Sequence, residues 1–322
     1  MYWIDPSEGQ IRRINIATGI ELSPLQVGVI PPQTVGQIAE DAPILAPLLA
    51  LHDTGGGGPG SKLYFLEKRF FPWRLKRCDL DGSNVETVLD SDTTPISGMN
   101  VLLIDSAGGK LYWSRPFTNG EVRRASLDGT NPELLLTLDG TRVSTMAIDP
   151  VGGKIYYHEP VANSLNRCNL DGTSPQILNI GTNATAMTVD AAGRRLYIGN
   201  TSGVIRRYNL DTSAFTTDFV TTNRTSVLTI DTAAAQVCWS VGGERRLRRA
   251  PIAGGSVEDW LSVGPDIGER PSDGQAYLDG LNGTTPFQRS GTATPGALPY
   301  QIKLTGVTAV YPLTVISRGN TK

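Results

Sequence analysis

The chain is poor in the residues that usually announce a chemistry. Among 322 residues there are two histidines and three cysteines. His52 and His158 stand in no spaced ligand motif, so no zinc site is expected. Cys78, Cys168 and Cys238 are an odd count, and the first two each follow an arginine at equivalent places of a repeat. Equivalent places should lie far apart, so the cysteines read as buried free thiols acting as small apolar residues. Charge of either sign is not in excess: 29 Lys and Arg against 31 Asp and Glu leave a formal net charge of −2. That gives no electrostatic reason to expect nucleic acid or an anionic membrane as partner. No apolar run approaches the roughly 18 residues of a membrane span; the longest, Ile44 to Leu51, contains Pro47. The opening MYWIDPSEGQ shows neither the basic nor the apolar region of a secretory signal, so a soluble chain is expected. Gly-x-Ser-x-Gly, P-loop and Cys-x-x-Cys patterns are missing, and neither catalytic residues nor a cofactor are assigned.

What is present is a repeat. In residues 142–172, RVSTMAIDPVGGKIYYHEPVANSLNRCNLDG, a period of two gives three short strands. Gly152-Gly153 and Asp171-Gly172 read as hairpin turns, where positive φ is needed. Second strands of this kind begin at Tyr2-Trp3, Tyr64-Phe65, Tyr112-Trp113, Tyr156-Tyr157, Tyr197-Ile198 and Cys238-Trp239. First strands precede five of them, four ending in Asp105, Asp149, Asp190 and Asp231, with His52 in the Asp place of the other. Third strands carry Arg13, Arg77, Arg124, Arg167, Arg207 and Arg249 at one shared position, and fourth strands follow. Four antiparallel strands recurring about every 40–45 residues match the blade of a β-propeller. The expected fold is all-β, a six-bladed β-propeller of four-stranded antiparallel blades.

The set Ile-Asp, Gly-Gly-Lys, Leu-Tyr-Trp, Arg-Arg and Leu-Asp-Gly, clearest in residues 97–138, resembles the YWTD repeat of the low-density lipoprotein receptor class B family. The resemblance covers about residues 1–20 and 44–262 and implies six blades. Members of that family are generally secreted or membrane-bound receptor modules. The tetrapeptides depart from the name: Tyr2-Trp3-Ile4-Asp5 keeps the acid, Tyr112-Trp113-Ser114-Arg115 reverses its charge, and Cys238-Trp239-Ser240-Val241 loses it.

Met1 directly precedes a second strand, so the first blade needs an inner strand from elsewhere. Val307 to Pro312 (VTAVYP) resembles TMAIDP; Ala276 to Asp279 (AYLD) is the other candidate, and the later segment is preferred. The expected organisation is a propeller over 1–262 with a loop insertion at 22–43, an extended Gly/Pro/Thr-rich arm over 263–300, and a C-terminal segment, 301–322, that completes the first blade.

A residue that recurs in every blade serves what every blade needs. The Arg column and the Asp column are therefore expected to pair with each other at blade junctions, where the guanidinium fork fits a carboxylate. An anion site lined by the arginines, or a divalent metal held by the aspartates, is the weaker reading. Strand direction places the uniform first-to-second and third-to-fourth turns on one face. The variable second-to-third loops collect on the other, where binding usually resides. That face is expected to present Phe70, Phe71, Trp73, Arg115, Phe117, His158, Glu159 and Arg245, aromatic and arginine anchors among them. The expected function is a non-enzymatic protein-interaction or receptor-binding module. It would be a subunit of a larger assembly such as a phage virion or tail component, tied in through the C-terminal arm. A propeller hydrolase or lyase with a channel metal, and an adhesin binding a cell-surface receptor or glycan, are the alternatives.

Overall fold

A computed structural model describes residues 2–5, 10–14, 21–25, 49–52, 54, 60–67, 72–116, 119–178, 183–222, 225–231, 234–241 and 246–262. These residues form strands in six antiparallel sheets. The first has three strands, β1 (Tyr2–Asp5), β2 (Gln10–Ile14) and β3 (Glu21–Leu25). The second is β4 (Leu49–His52), β5 (Lys62–Glu67), β6 (Arg74–Asp79) and β7 (Glu86–Asp90). The third is β8 (Val101–Asp105), β9 (Lys110–Arg115), β10 (Gly120–Ser126) and β11 (Glu133–Leu138). The fourth is β12 (Thr145–Asp149), β13 (Lys154–Glu159), β14 (Ser164–Asn169) and β15 (Gln176–Ile177). The fifth is β16 (Ala184–Asp190), β17 (Arg195–Asn200), β18 (Val204–Asn209) and β19 (Ala214–Thr221). The sixth is β20 (Thr225–Asp231), β21 (Gln236–Val241), β22 (Arg246–Pro251) and β23 (Glu258–Ser262). Every pairing is a chain-order meander, the arrangement of a propeller blade.

The described residues thus hold five four-stranded blades, where the sequence reading expects six. The difference falls on the first sheet. Its β1 carries Tyr2-Trp3 and so takes the second-strand place, and no first strand pairs with it among the described residues. Both segments expected to fill that place, 276–279 and 307–312, lie outside the described residues, as do the 22–43 insertion for the most part and the whole of 263–322.

The chain divides into two compact units. Among the described residues, one comprises Tyr2–Arg13 and Ser23–Asn183; the other comprises Ile14–Leu22 and residues 184–262. In the first unit, period-two alternation decides which neighbour each side chain meets. Leu63 and Phe65 of β5 pack with Ile11 and Leu25 of the preceding sheet, while Tyr64 and Leu66 pack with Leu111 and Trp113 of the following one. In β9, Tyr112 turns onward instead, to Ile155 and Tyr157. The Tyr-Trp pair is therefore a two-sided wedge. Burial on both faces explains why β5, β9 and β13 share four consecutive buried residues rather than strict alternation. In the second unit Tyr197 and Trp239 meet in the same way, with Ile205, Val220 and Val237 around them. Cys78, Cys168 and Cys238 are free and buried, and burial pushes each thiol up to about 12.

The first-to-second and third-to-fourth turns do share one face. The backbone amides of Leu127, Leu170, Leu210 and Ile252 donate to the carbonyls of Gly109, Gly153, Arg194 and Ala235 respectively, each tying one turn to the other within a sheet.

Candidate functional site

Among the described residues, the recurring arginines bond to groups that the sequence does not suggest. Arg77 Nε donates to Glu86 Oε1 at 2.7 Å, Arg124 Nη2 to Glu133 Oε2 at 2.8 Å, and Arg249 Nε to Glu258 Oε2 at 2.9 Å. Arg167 Nε reaches Gln176 Oε1 at 2.9 Å. Each of these partners faces its arginine across the third-to-fourth hairpin and so lies in the same sheet. The rest of the fork reaches forward. Arg77 Nη1 donates to the Leu127 carbonyl at 2.9 Å, Arg124 Nη1 to that of Leu170 at 3.0 Å, and Arg207 Nη1 to that of Ile252 at 3.4 Å. These acceptors belong to the turn after the third strand of the following sheet. Tyr64 and Tyr197 send their hydroxyls to the same Leu127 and Ile252 carbonyls, at 2.8 and 3.2 Å. The side chain of Arg13 lies outside the described residues.

The aspartates are engaged elsewhere. Oδ1 of Asp105, Asp149, Asp190 and Asp231 accepts the backbone amide three residues on, from Gly108, Gly152, Gly193 and Ala234, at 2.8 to 3.0 Å. All four are buried against their own first-to-second turn. Register explains the separation: Asp105 stands opposite Lys110, whereas Arg124 stands opposite Tyr112, itself opposite Leu103. In these bonds two devices stand where Asp–Arg pairing is expected, aspartates that cap a turn and, at Arg77, Arg124 and Arg207, arginines that fasten one sheet to the next. His52, in the Asp place of its strand, instead sets Nδ1 3.0 Å from Ser106 Oγ, beside Asp105. Among the described residues no cluster of three or more His, Cys, Asp or Glu could hold a metal ion.

Close packing completes the junction. The Asp-Gly turn of one sheet sits against the fourth strand of the sheet before it. A Cβ on Gly129 would overlap the Val88 carbonyl oxygen, and one on Gly172 would come within 2.6 Å of the Leu135 carbonyl oxygen. Both glycines have positive φ, 86° and 83°. The neighbouring aspartates hold the turn in shape: Asp128 and Asp171 accept the amide and hydroxyl of Thr130 and Thr173, which keeps both carboxyls below their usual range.

The loop-rich face has fewer open anchors than expected. Trp73 is partly buried against Ile96, Met99 and Trp113, and its amide donates to Ser91 Oγ at 2.8 Å. Arg115 is held by the Ser97 carbonyl at 3.0 Å and by Glu121 at 2.7 Å. His158 is 2% exposed and belongs to the interior, not to a contact surface. The strand carries it past the rim because it pairs with Leu165 and Thr145 before the loop begins. Glu159 is half-buried, accepts Asn166 Nδ2 at 2.9 Å, and is pushed up by burial. Phe70, Phe71, Phe117 and Arg245 lie outside the described residues. Val161, 76% exposed at the tip of the Glu159–Ser164 loop, has no signal in the sequence. A lone apolar residue between Pro160 and Ala162 carries no periodicity to mark it. The acids nine residues after Arg77, Arg124 and Arg249 become visible only by counting across the third-to-fourth hairpin.

His158 is the centre of a hydrogen-bonded group. Ser144 Oγ lies 2.7 Å from its Nδ1, and Asn163 Oδ1 lies 3.3 Å from its Nε2. The backbone amide of Asn183 donates to the same Asn163 Oδ1 at 2.7 Å. Burial holds the imidazole below its usual range, with the Asn163 contact opposing the shift.

The fold and its junctions define a β-propeller-type protein. No family model matches the chain. Among solved structures it is similar to a chain of a nidogen/laminin complex, at 19% identity and a TM-score of 0.52, covering 71% of this chain and 79% of that one. It is also similar to a structural-genomics protein of unknown function from Bacteroides thetaiotaomicron, at 11% identity and a TM-score of 0.50, covering 64% and 56% respectively. At these identities the likeness is one of β-propeller fold.

Proposed function

We propose that the chain is a protein-interaction module of the YWTD type that presents its second-to-third loops to a partner. The observation that carries this reading is the division of labour among its residues. The recurring arginines, tyrosines and aspartates are taken up by turns and sheet junctions, which leaves variation, and an exposed Val161, to the loops. The commitment of Asp149 and Asp190 to their own turns favours this over a channel-metal hydrolase. The likeness to a chain of a nidogen/laminin complex is in keeping with a propeller that works by protein contact. In the same reading, residues 307–312 add a strand to β1 and make the six-bladed ring, and the 263–300 arm ties the module into an assembly.

Two valines provide the test. Val161 lies on the loop-rich face, and Val151, 73% exposed, lies in the β12–β13 turn on the other. Proteins retained by the immobilised chain would be compared for wild type, Val161→Asp and Val151→Asp. A defined partner kept by Val151→Asp and lost by Val161→Asp is expected; retention indifferent to both changes contradicts the reading. For the ring, removal of residues 301–322 is expected to lower the melting temperature, and an unchanged melting curve contradicts the added strand.

A further inference from the structure

We infer that Ser144 is a nucleophile activated by His158, and that the pair transfers the acyl group of small activated esters to water. This goes beyond the interaction reading, and either can stand without the other.

The argument is one of proton placement. The Asn183 backbone amide can only donate, so Asn163 must turn its oxygen, not its NH2, toward that amide. The same oxygen faces His158 Nε2, which must therefore carry the proton. Nδ1 is then left with its lone pair, aimed at Ser144 Oγ 2.7 Å away. The serine hydroxyl donates to it at this shorter distance, its other acceptor, the His158 backbone carbonyl, lying 3.4 Å away. This order, an acceptor that orients a histidine and a histidine that accepts from a hydroxyl, is the logic of a serine nucleophile with its base. Asn163 is held in a positive-φ conformation (46°), where Asn is among the residues best able to sit. Ser144 itself is half-buried, immediately before β12, an edge strand of its sheet.

The repeat sharpens the case. A feature common to all blades is structural, but this one is peculiar to its blade. At the His158 place the third and fifth sheets have Ser114 and Gly199, and at the Ser144 place Asn100 and Thr185. There, Ser114 Oγ meets Asn100 Oδ1 at 2.8 Å, and Thr185 Oγ1 donates to the Gly199 carbonyl at 3.1 Å. Those links hold strands together with no titratable group. Only the fourth sheet, among these three, substitutes a base.

The step balances with water as the sole co-reactant. Ser144 Oγ bonds to the acyl carbon while its proton passes to His158 Nδ1. As the carbon–oxygen bond to the leaving alkoxide breaks, Nδ1 returns that proton to the alkoxide. Water then attacks the acyl-serine, gives its proton to Nδ1, and releases the acid as the proton goes back to Ser144 Oγ.

The test uses the full chain with a fluorophosphonate probe and p-nitrophenyl acetate. A covalent adduct located at Ser144 by mass spectrometry is expected, absent in Ser144→Ala. The labelling rate should fall on the order of 100-fold or more in His158→Gln, the usual scale of lost general-base catalysis. In wild type the rate should decline as pH drops and His158 takes a proton. No adduct at Ser144, or labelling of Ser144 that is independent of pH, overturns the proposal, and the latter needs no variant to fold. Circular dichroism of His158→Gln guards the remaining comparison: a folded variant that labels at the wild-type rate also overturns it.

Discussion

Arg77 Nη1 lies 2.9 Å from the carbonyl oxygen of Leu127, fifty residues further along the chain and in the next sheet. Tyr64 reaches the same oxygen from the strand beside Arg77, so one backbone acceptor receives two side chains. The sequel in the following sheets, Arg124 to Leu170 and Arg207 to Ile252, makes this a rule of construction and not a local accident.

The Asp-Gly turn that offers the carbonyl must fit closely. Gly129→Ala combines positive φ with overlap onto Val88, whereas a Cβ on Gly153, φ 65°, meets nothing within 4 Å. Gly153→Ala should therefore cost about 1 kcal/mol, the backbone contribution alone. Gly129→Ala should cost roughly 3 kcal/mol or more, because packing strain is added. Urea unfolding of the two variants checks the difference.

The cysteines should be inert in the folded protein. With each thiol pushed to about 12 by burial, little thiolate forms at pH 8. Reaction of all three with Ellman's reagent is expected to be slow in buffer and rapid in 6 M urea. Fast modification of Cys78, Cys168 or Cys238 without denaturant would show an open junction.

Stability should also depend on the protonation of His158. Its folded pKa lies below the ordinary 6.5, so the unfolded chain binds the proton more readily. The stability this group allows is full above pH 6.5 and is lost as pH falls through its folded value. Glu159 works in the opposite sense, since burial raises its pKa above the ordinary 4.5: its contribution is full below that value and is lost as pH rises through the folded pKa. In a Glu159→Gln background, denaturant midpoints measured from pH 7.5 down to 5 should fall more steeply with His158 kept than with His158→Gln added. Parallel curves would mean that His158 is not held neutral.

Much of this architecture was legible in the sequence. The Tyr-Trp second strands, the Gly-Gly and Asp-Gly turns and the interval near 40 residues gave the four-stranded sheets and the shared face of their turns. The partners of Asp105 and Arg124 were not legible in the same way. Spacing reveals that two columns recur, but not that they stand on different rungs, two residues apart along β8. His158 illustrates the other blind spot. It ends a strand next to a variable loop, which reads as a surface position, yet its ring turns into the sheet toward Ser144 and Asn163, residues with no motif to connect them.

The central claim is that the arginine column fastens sheet to sheet and is not merely one half of a surface ion pair. Equilibrium unfolding of Arg124→Ala beside Glu133→Ala measures this most directly. Glu133 is 43% exposed at its side chain, so its share of the pair should be worth under about 1 kcal/mol. Arg124 also donates to the Leu170 carbonyl, a charged hydrogen bond worth about 1.5–3 kcal/mol. The account predicts that the arginine variant loses at least about 1.5 kcal/mol more than the glutamate variant; equal losses would contradict it.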